Sequence, residues 1–120
     1  MNNMATVPLN LFRNLTVPLS TQSVAPLYYQ APYQRAAIIL TTQIANITNQ
    51  NQTVTAALSS ATYNSTTYLI SGFTIPAYDA ANIAMGKIVL TEGDKLILYS
   101  STNNGLHATL SILETINTAA

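Results

Sequence analysis

Residues 87–114 read KIVLTEGDKLILYSSTNNGLHATLSILE. Three apolar runs in this stretch are separated by two polar turns, at 92–94 and 103–105. Gly-Asp and Asn-Gly pairs between alternating apolar residues are typical of β-hairpins. In the last run every second residue is apolar, which predicts a core-facing set of side chains: Leu106, Ala108, Leu110 and Ile112. The side chains between and after them are predicted to face outward: His107, Thr109, Ser111 and Leu113.

The same pattern continues upstream, where short β-branched or alternating runs are bounded by polar turns. Strands are predicted at 36–48, 53–60, 67–72, 87–90, 95–101 and 106–114, with an extended start at 73–75. The segment 77–85 is the only one that could form a helical turn, and we predict a loop with a short strand there. The fold class is therefore predicted to be all-β. We expect a single antiparallel β-sandwich, jelly-roll or immunoglobulin-like, of about seven to eight strands.

The N-terminal part of the chain has a different character. Residues 1–34 hold four of the five prolines, Pro8, Pro18, Pro26 and Pro32, and this spacing predicts no helix or long strand between them. The same residues are too apolar for a disordered tail. We therefore predict an extended N-terminal arm (1–34) that lies on an apolar surface, followed by the sandwich domain (35–120). A flexible linker is the alternative.

Charge is scarce along the whole chain. The 120 residues include four Lys or Arg and four Asp or Glu, and none of them falls between residues 36 and 78. A soluble domain usually displays about a quarter charged residues, and a net charge of zero gives weak protection against self-association. We predict that much of the surface is covered by identical copies or by a larger assembly. A neutral secreted domain is the alternative.

Several classes of function are disfavoured by composition. The chain has no cysteine, so neither a disulfide framework nor a thiolate site is expected. The start, MNNMATVPLNLF, has no pattern of a signal peptide. The longest apolar run, 36–40, is far too short to cross a membrane. Four basic residues give no footprint for phosphate binding, so we predict no nucleic-acid partner.

The residues that could carry catalysis or bind a metal are few. His107 is the only histidine, and the Glu92–Gly93–Asp94 triplet is more typical of a turn than of a calcium site, with positive φ at Gly93 and capping by Asp94. The remaining carboxylates, Asp79 and Glu114, are far apart in sequence. We predict no catalytic, cofactor or metal site and no enzymatic activity. An esterase-like enzyme acting through His107 is a remote alternative.

Seven tyrosines without a tryptophan favour a contact surface. The predicted interface combines the apolar residues of the arm with its terminal tyrosines: Leu9, Leu11, Phe12, Leu15, Val17, Leu19, Leu27, Tyr28, Tyr29 and Tyr33. The alternative is a carbohydrate-binding surface. It would combine Tyr28 and Tyr63 with the Asn-rich loops 46–52 and 102–105.

Residues 35–114 also carry a family resemblance. The stretches concerned are IPA at 75–77, GKIVLTEGDKL at 86–96, SS at 100–101, GL at 105–106, SILE at 111–114 and AAIILTTQIANITNQNQTVTAAL at 36–58. This pattern resembles a group of small virion structural proteins of tailed bacteriophages.

The resemblance implies a non-enzymatic bacteriophage structural protein. On this reading the chain is a capsid decoration (cement) protein, made in the host cytoplasm and located in the virion. Its partners would be copies of itself, as a trimer, and the major capsid protein, with no cofactor, nucleic acid or membrane. The alternatives are a neck, collar or tail accessory subunit, and a carbohydrate-binding adhesin module.

Overall fold

The structure, a computed structural model, describes residues 10–24, 26–83 and 87–116, with only the backbone for Leu27 and Tyr28. All regular secondary structure in these ranges is β. The nine strands are β1 (Asn10–Pro18), β2 (Leu27–Gln30), β3 (Arg35–Asn46), β4 (Gln52–Ser60), β5 (Ser65–Ile75), β6 (Ala80–Asn82), β7 (Ile88–Leu90), β8 (Lys95–Ser100) and β9 (Leu106–Ile116). In the same ranges no helix has the length and apolar character needed to cross a membrane.

The strands form two antiparallel sheets. Sheet A has the order β1-β9-β3-β6, with β7 also paired to β3, and sheet B has the order β2-β8-β4-β5. Every pairing is antiparallel. The predicted all-β antiparallel sandwich is therefore confirmed.

The hydrophobic core lies between the two sheets. It consists of side chains that alternate along the strands, as in β8, where Leu96 and Leu98 are buried and Ile97 between them is half-buried. The predicted inward set of β9 is confirmed, because Leu106, Ala108, Leu110 and Ile112 are all fully buried. His107 is exposed, as expected from the same alternation.

The proline-rich region contains two strands of the sandwich. β1 pairs with β9 from Asn10↔Thr115 to Pro18↔His107, and β2 pairs with β8. The prediction that the prolines leave no room for a long strand is wrong for β1. Pro18 is the last residue of an edge strand, where a missing N–H disturbs no internal ladder. The extended arm of 1–34 is not confirmed by these pairings, and residues 1–9, with Leu9, lie outside the described residues.

Two of the turns between strands each place one residue in the left-handed conformation. Gly93 has φ 87°, and the carboxylate of Asp94 accepts the Thr91 N–H at 3.0 Å, as predicted for this turn. In the β8–β9 turn the left-handed residue is Asn104, with φ 62°, and not the glycine that follows it. Asparagine tolerates this conformation better than most residues.

Candidate functional site

A row of apolar side chains crosses the outer face of sheet A. Phe12 pairs with Leu113, Leu113 with Ile38, and Ile38 with Val89. Directly paired residues project from the same face of a sheet, and the neighbours of this row, such as Ile39 and Leu90, are buried in the core. Phe12 and Val89 are 74% and 58% exposed, and the two residues between them are half-buried. We call these four residues the sheet A stripe.

The paired rows beside the sheet A stripe carry no charge, and the charged residue nearest to it is exposed Lys87, two residues before Val89 on the same face. Asn14, Ser111 and Thr41 are paired in a row on one side of it. Asn10, Thr115 and Ala36 are paired in a row on the other side. An apolar centre without charged residues, inside a more polar margin, is the usual composition of a protein–protein interface.

Strand β5 forms a second exposed surface, at the edge of sheet B. Its side chains are exposed on both faces, except for half-buried Ile70 and buried Ile75. Three of the exposed residues are large and apolar: Tyr68, Leu69 and Phe73. We call these three residues the β5 edge. A long exposed edge strand is a site of association unless something covers it.

Backbone irregularities distinguish β5 from a regular edge. Its register with β4 shifts twice, between Val54 and Ala56 and between Ala56 and Ala57, and Gly72 has φ 63°. Such bulges bend the strand and interrupt the row of free N–H and C=O groups. The β5 edge is therefore suited to contacts through side chains more than to the addition of another strand.

Two concavities in the described part of the chain are poor candidates for catalysis. A narrow gap of about 10 Å³ between the sheets is lined by Leu69, Ile83 and Ile88, among others, and has room for no more than a water molecule. A wider hollow of about 340 Å³ lies at the β2–β3 turn, where Glu92 is its only charged residue. One oxygen of Glu92 already accepts the Gln34 N–H at 2.9 Å.

A cluster of charged residues lies at one end of the sandwich. Glu114 of β9 is fully buried, and one of its oxygens accepts a hydrogen bond from the Tyr29 hydroxyl. Its other oxygen, Oε1, lies 3.7 Å from the Nη1 atoms of both Arg13 and Arg35 and accepts no hydrogen bond among the described residues. Burial, and then the hydrogen bond to Glu114, raise the pKa of Tyr29 far above its usual value. This arrangement links sheet B to sheet A.

Those predicted interface residues whose side chains the structure describes lie in several different places. Phe12 lies on the outer face of sheet A, whereas Leu15 and Val17 pack against the core and Leu19 is fully buried. Tyr29 also packs against the core, and Tyr33 is exposed in the β2–β3 turn. Leu11 is exposed at the start of β1, and for Leu27 and Tyr28 only the backbone is described.

The residues of the carbohydrate-binding and esterase-like alternatives are also far from one another. Tyr63 lies in the turn after β4 and the 46–52 loop precedes it, so the nine-residue strand holds them about 30 Å apart. His107 lies at the end of β9 opposite Glu114. Among residues 10–24, 26–83 and 87–116, no group of three His, Asp or Glu residues could hold a metal ion.

Sequence reasoning missed Ile38 and Val89, which complete the sheet A stripe. The available signal was an apolar residue at an outward position of a predicted strand, as already noted for Leu113. Such residues are too common on protein surfaces to identify an interface individually. Only the strand pairing shows that these side chains are aligned.

Comparison with known proteins gives a likeness of fold. No protein-family profile and no curated protein matches the chain. A crystal structure of the Drosophila NLP-core, which concerns pentamer formation and histone binding, matches with a TM-score of 0.52 and 12% identity. The match covers 92% of this chain and 99% of that chain. The nucleoplasmin-like N-terminal domain of Drosophila FKBP39 matches with a TM-score of 0.43 and 14% identity over 97% of both chains.

These comparisons correct the predicted identity. The resemblance to tailed-phage virion proteins is wrong, since the fold is similar to that of the Drosophila NLP-core. Also wrong, for the same reason, are the predicted cement-protein function, its neck, collar, tail and adhesin alternatives, and the predicted virion location. The predicted partners were two further copies in a trimer and a major capsid protein, with no nucleic acid. This prediction is also wrong, because the NLP-core structure concerns pentamer formation and histone binding. The shared pattern was the turn chemistry of hairpins, which any antiparallel sheet requires. The chain has a β-sandwich fold similar to that of the NLP-core.

Proposed function

We propose that this chain is a non-enzymatic assembly module that forms a closed ring of five copies. The observation that carries the proposal is the sheet A stripe, in which four apolar side chains are aligned across four strands on an outer face. Contiguous exposed apolar surface rimmed by polar residues marks an interaction site. The low charge of the chain removes most of the repulsion that would oppose self-association.

The number of copies is inferred from the fold. The NLP-core, which is similar over nearly its whole length, is described in terms of pentamer formation. The strand order supports a jelly-roll over an immunoglobulin-like arrangement, because β1, β3 and β9 lie in one sheet while β2, β4 and β8 lie in the other. Chain connections therefore cross repeatedly between the sheets, as in a jelly-roll.

Sedimentation velocity on the purified chain tests this proposal. We expect a mass five times the 12.9 kDa of one chain. Phe12→Asp places a charge in the sheet A stripe and is expected to yield monomers, while Tyr78→Asp removes another exposed aromatic residue and is expected to leave the ring intact. A wild-type monomer at micromolar concentration would exclude the proposal.

A second candidate function is the binding of histones, which the likeness to the NLP-core favours. Histones are basic, so the available acceptors are the exposed carboxylates Asp79 and Glu92, because Asp94 and Glu114 are buried. With so few carboxylates, we expect weak binding that disappears at high salt. Fluorescence anisotropy with a labelled core histone tests this, with Asp79→Asn/Glu92→Gln as the matched variant. Equal binding by that variant, or no binding at low salt, would contradict it.

A further inference from the structure

We infer that Arg13 and Arg35 together form a binding site for a small tetrahedral oxyanion of the phosphate class. The site lies at the corner of sheet A where the edge strand β1 and the start of β3 flank β9. It uses no residue of the sheet A stripe or of the β5 edge. The inference therefore goes beyond the proposed function and does not depend on it.

Strand pairing brings the two arginines together. Arg13 pairs with Ile112 of β9. Arg35 pairs with Ile116 of the same strand, and Glu114 lies midway between these two isoleucines. Paired residues, and residues two apart on one strand, project from the same face of a sheet, so both arginines project from the face that carries Glu114. Both Nη1 atoms lie 3.7 Å from Oε1 of Glu114 and hence no more than twice that distance from each other.

The N–H donors of both arginine side chains are unused. A guanidinium has five N–H donors in a planar fork, and 3.7 Å is too long for a hydrogen bond. Within residues 10–24, 26–83 and 87–116 neither guanidinium makes a hydrogen bond. The hydrogen bond that Glu114 accepts comes instead from the hydroxyl of Tyr29. The arginine donors therefore remain available to a ligand.

The balance of charge at this corner favours an anion. Glu114 offsets one of the two positive charges, and in the described part of the chain no other carboxylate forms an ion pair with either arginine. The side chain of Arg35 is only 30% exposed, so solvent screens its charge incompletely. A partly buried charge is stabilised by a counterion. A bound anion supplies that counterion on the side of the arginines away from Glu114.

The site is open to solvent along β1. The side chain of Arg13 is 54% exposed, and Leu11, two residues earlier on the same face, is 39% exposed. The fork of N–H groups in arginine matches the oxygens of phosphate, which it binds through paired hydrogen bonds. An oxyanion with several oxygens can accept from both arginines at once, whereas a halide offers a single acceptor atom. We therefore expect phosphate and sulfate to bind and chloride to compete poorly.

Titration of inorganic phosphate with the full-length chain, followed by the phosphorus NMR line, tests the site. Sodium chloride keeps the ionic strength constant. We expect saturable binding, weakened at least about tenfold by Arg13→Gln, which removes one fork of donors. Arg13→Lys keeps the charge without the fork and should weaken binding by a smaller factor. Lys87→Gln removes an exposed positive charge elsewhere on the chain and should bind phosphate as the wild type does.

Thermal unfolding gives a second measurement on the same proteins. Phosphate and sulfate also stabilise folded proteins without binding to a site, so the difference between variants is the informative quantity. In about 50 mM phosphate, compared with sodium chloride of equal ionic strength, the unfolding midpoint should rise by about 3 °C more for the wild type than for Arg13→Gln. Lys87→Gln should show the wild-type rise, and sulfate should act as phosphate does.

Equal phosphate binding by the wild type and Arg13→Gln would overturn the inference. Equal weakening by Arg13→Gln and Lys87→Gln would also overturn it, because attraction by net charge alone would then explain the binding. Arg35→Gln gives an independent check at the second arginine, and unchanged binding by that variant would overturn the shared site. A failure of the proposed ring appears in the sedimentation mass instead, so the two failures are distinguishable.

Discussion

The hydroxyl of Tyr29 on β2 donates a hydrogen bond to the carboxylate of Glu114 on β9, and this contact joins the two sheets at one end of the sandwich. Tyr29 reaches Glu114 from the inner face of sheet B, where its pairing partner is the buried Leu96. The contact satisfies one oxygen of a fully buried carboxylate, and it anchors a strand of only four residues. We expect it to matter for stability because an unpaired buried polar group is costly.

Tyr29→Phe tests this directly. The substitution keeps the aromatic ring and removes the donor, which leaves both oxygens of Glu114 without a hydrogen bond among the described residues. We expect a loss of about 1–3 kcal/mol in the free energy of unfolding, measured by urea denaturation. Tyr33→Phe, which removes a hydroxyl from an exposed turn residue, should leave stability unchanged. Equal effects of both variants would refute this role of Tyr29.

The same contact predicts a sensitivity to alkali. Burial and the hydrogen bond to Glu114 raise the pKa of Tyr29 above the ordinary 10.0. A group whose pKa is higher in the folded protein than in the unfolded protein makes its full contribution to stability below the unfolded-state pKa. This contribution is lost as the pH rises through the folded-state pKa. Wild-type stability should therefore decline as the pH rises above about 10. Tyr99, whose pKa is also raised by burial, contributes to the same slope. The difference between wild type and Tyr29→Phe isolates Tyr29, and it should shrink with increasing pH.

The two arginines near Glu114 are predicted to differ in importance. Both lie 3.7 Å from Oε1, but the side chain of Arg13 is 54% exposed and that of Arg35 is 30% exposed. Solvent screens an exposed ion pair more strongly than a buried one. We expect Arg35→Met to lower the free energy of unfolding by about 1–3 kcal/mol and Arg13→Met by less than about 1 kcal/mol. Urea denaturation at pH 7 measures both, and the reverse order would contradict the argument.

Much of the sandwich follows from local pattern. Both ends of the strands β3, β4, β8 and β9 agree with the predicted segments to within two residues, because alternation and turn residues determine them. The burial of Glu114 could also have been predicted from this pattern. The alternation that places Ile112 in the core places Glu114 there too, and a carboxylate at such a position requires partners.

The partners of Glu114 were not predictable in the same way. Tyr29 and Arg13 come from strands in the proline-rich part of the chain, whose pairing depends on contacts with residues 65 to 105 positions away. No local pattern reports such contacts. The sheet A stripe has the same origin, since its alignment arises from three separate registers.

The hydrogen bonds to Asp94 predict that the folded protein loses stability in acid. Burial alone would raise the pKa of this carboxylate, but hydrogen bonds from the Ala61 N–H, the Thr91 N–H and the Thr91 hydroxyl outweigh it and lower the pKa. A lowered pKa stabilises the fold above the unfolded value of 3.8, and this stability is lost as the pH falls through the folded pKa. Asp94→Asn should be less stable at pH 7 and should lose less stability between pH 5 and pH 2. Parallel curves for the two proteins would refute this prediction.

Asn46 organises the turn between β3 and β4 from a buried position. Its Nδ2 group donates to three carbonyl oxygens, those of Gln50 at 2.8 Å, Ile75 at 2.9 Å and Pro76 at 3.2 Å. Its Oδ1 atom accepts both the N–H and the hydroxyl of Thr48, at 2.9 and 2.7 Å. The side chain thus uses its donor and acceptor groups fully.

Asn46→Asp should therefore be one of the more damaging conservative substitutions in this chain. It replaces the donor with a second acceptor and places a negative charge against three carbonyl oxygens in a buried site. We expect a loss of at least about 3 kcal/mol in the free energy of unfolding, measured by urea denaturation at pH 7. The loss should be smaller below pH 4, where the new carboxyl is protonated and can donate one hydrogen bond. Asn51→Asp is the matched control, because Asn51 is exposed and its described contact uses only the oxygen, which accepts the Ala77 N–H at 3.3 Å. If Asn46→Asp and Asn51→Asp cost the same, the buried donor of Asn46 does not hold the turn.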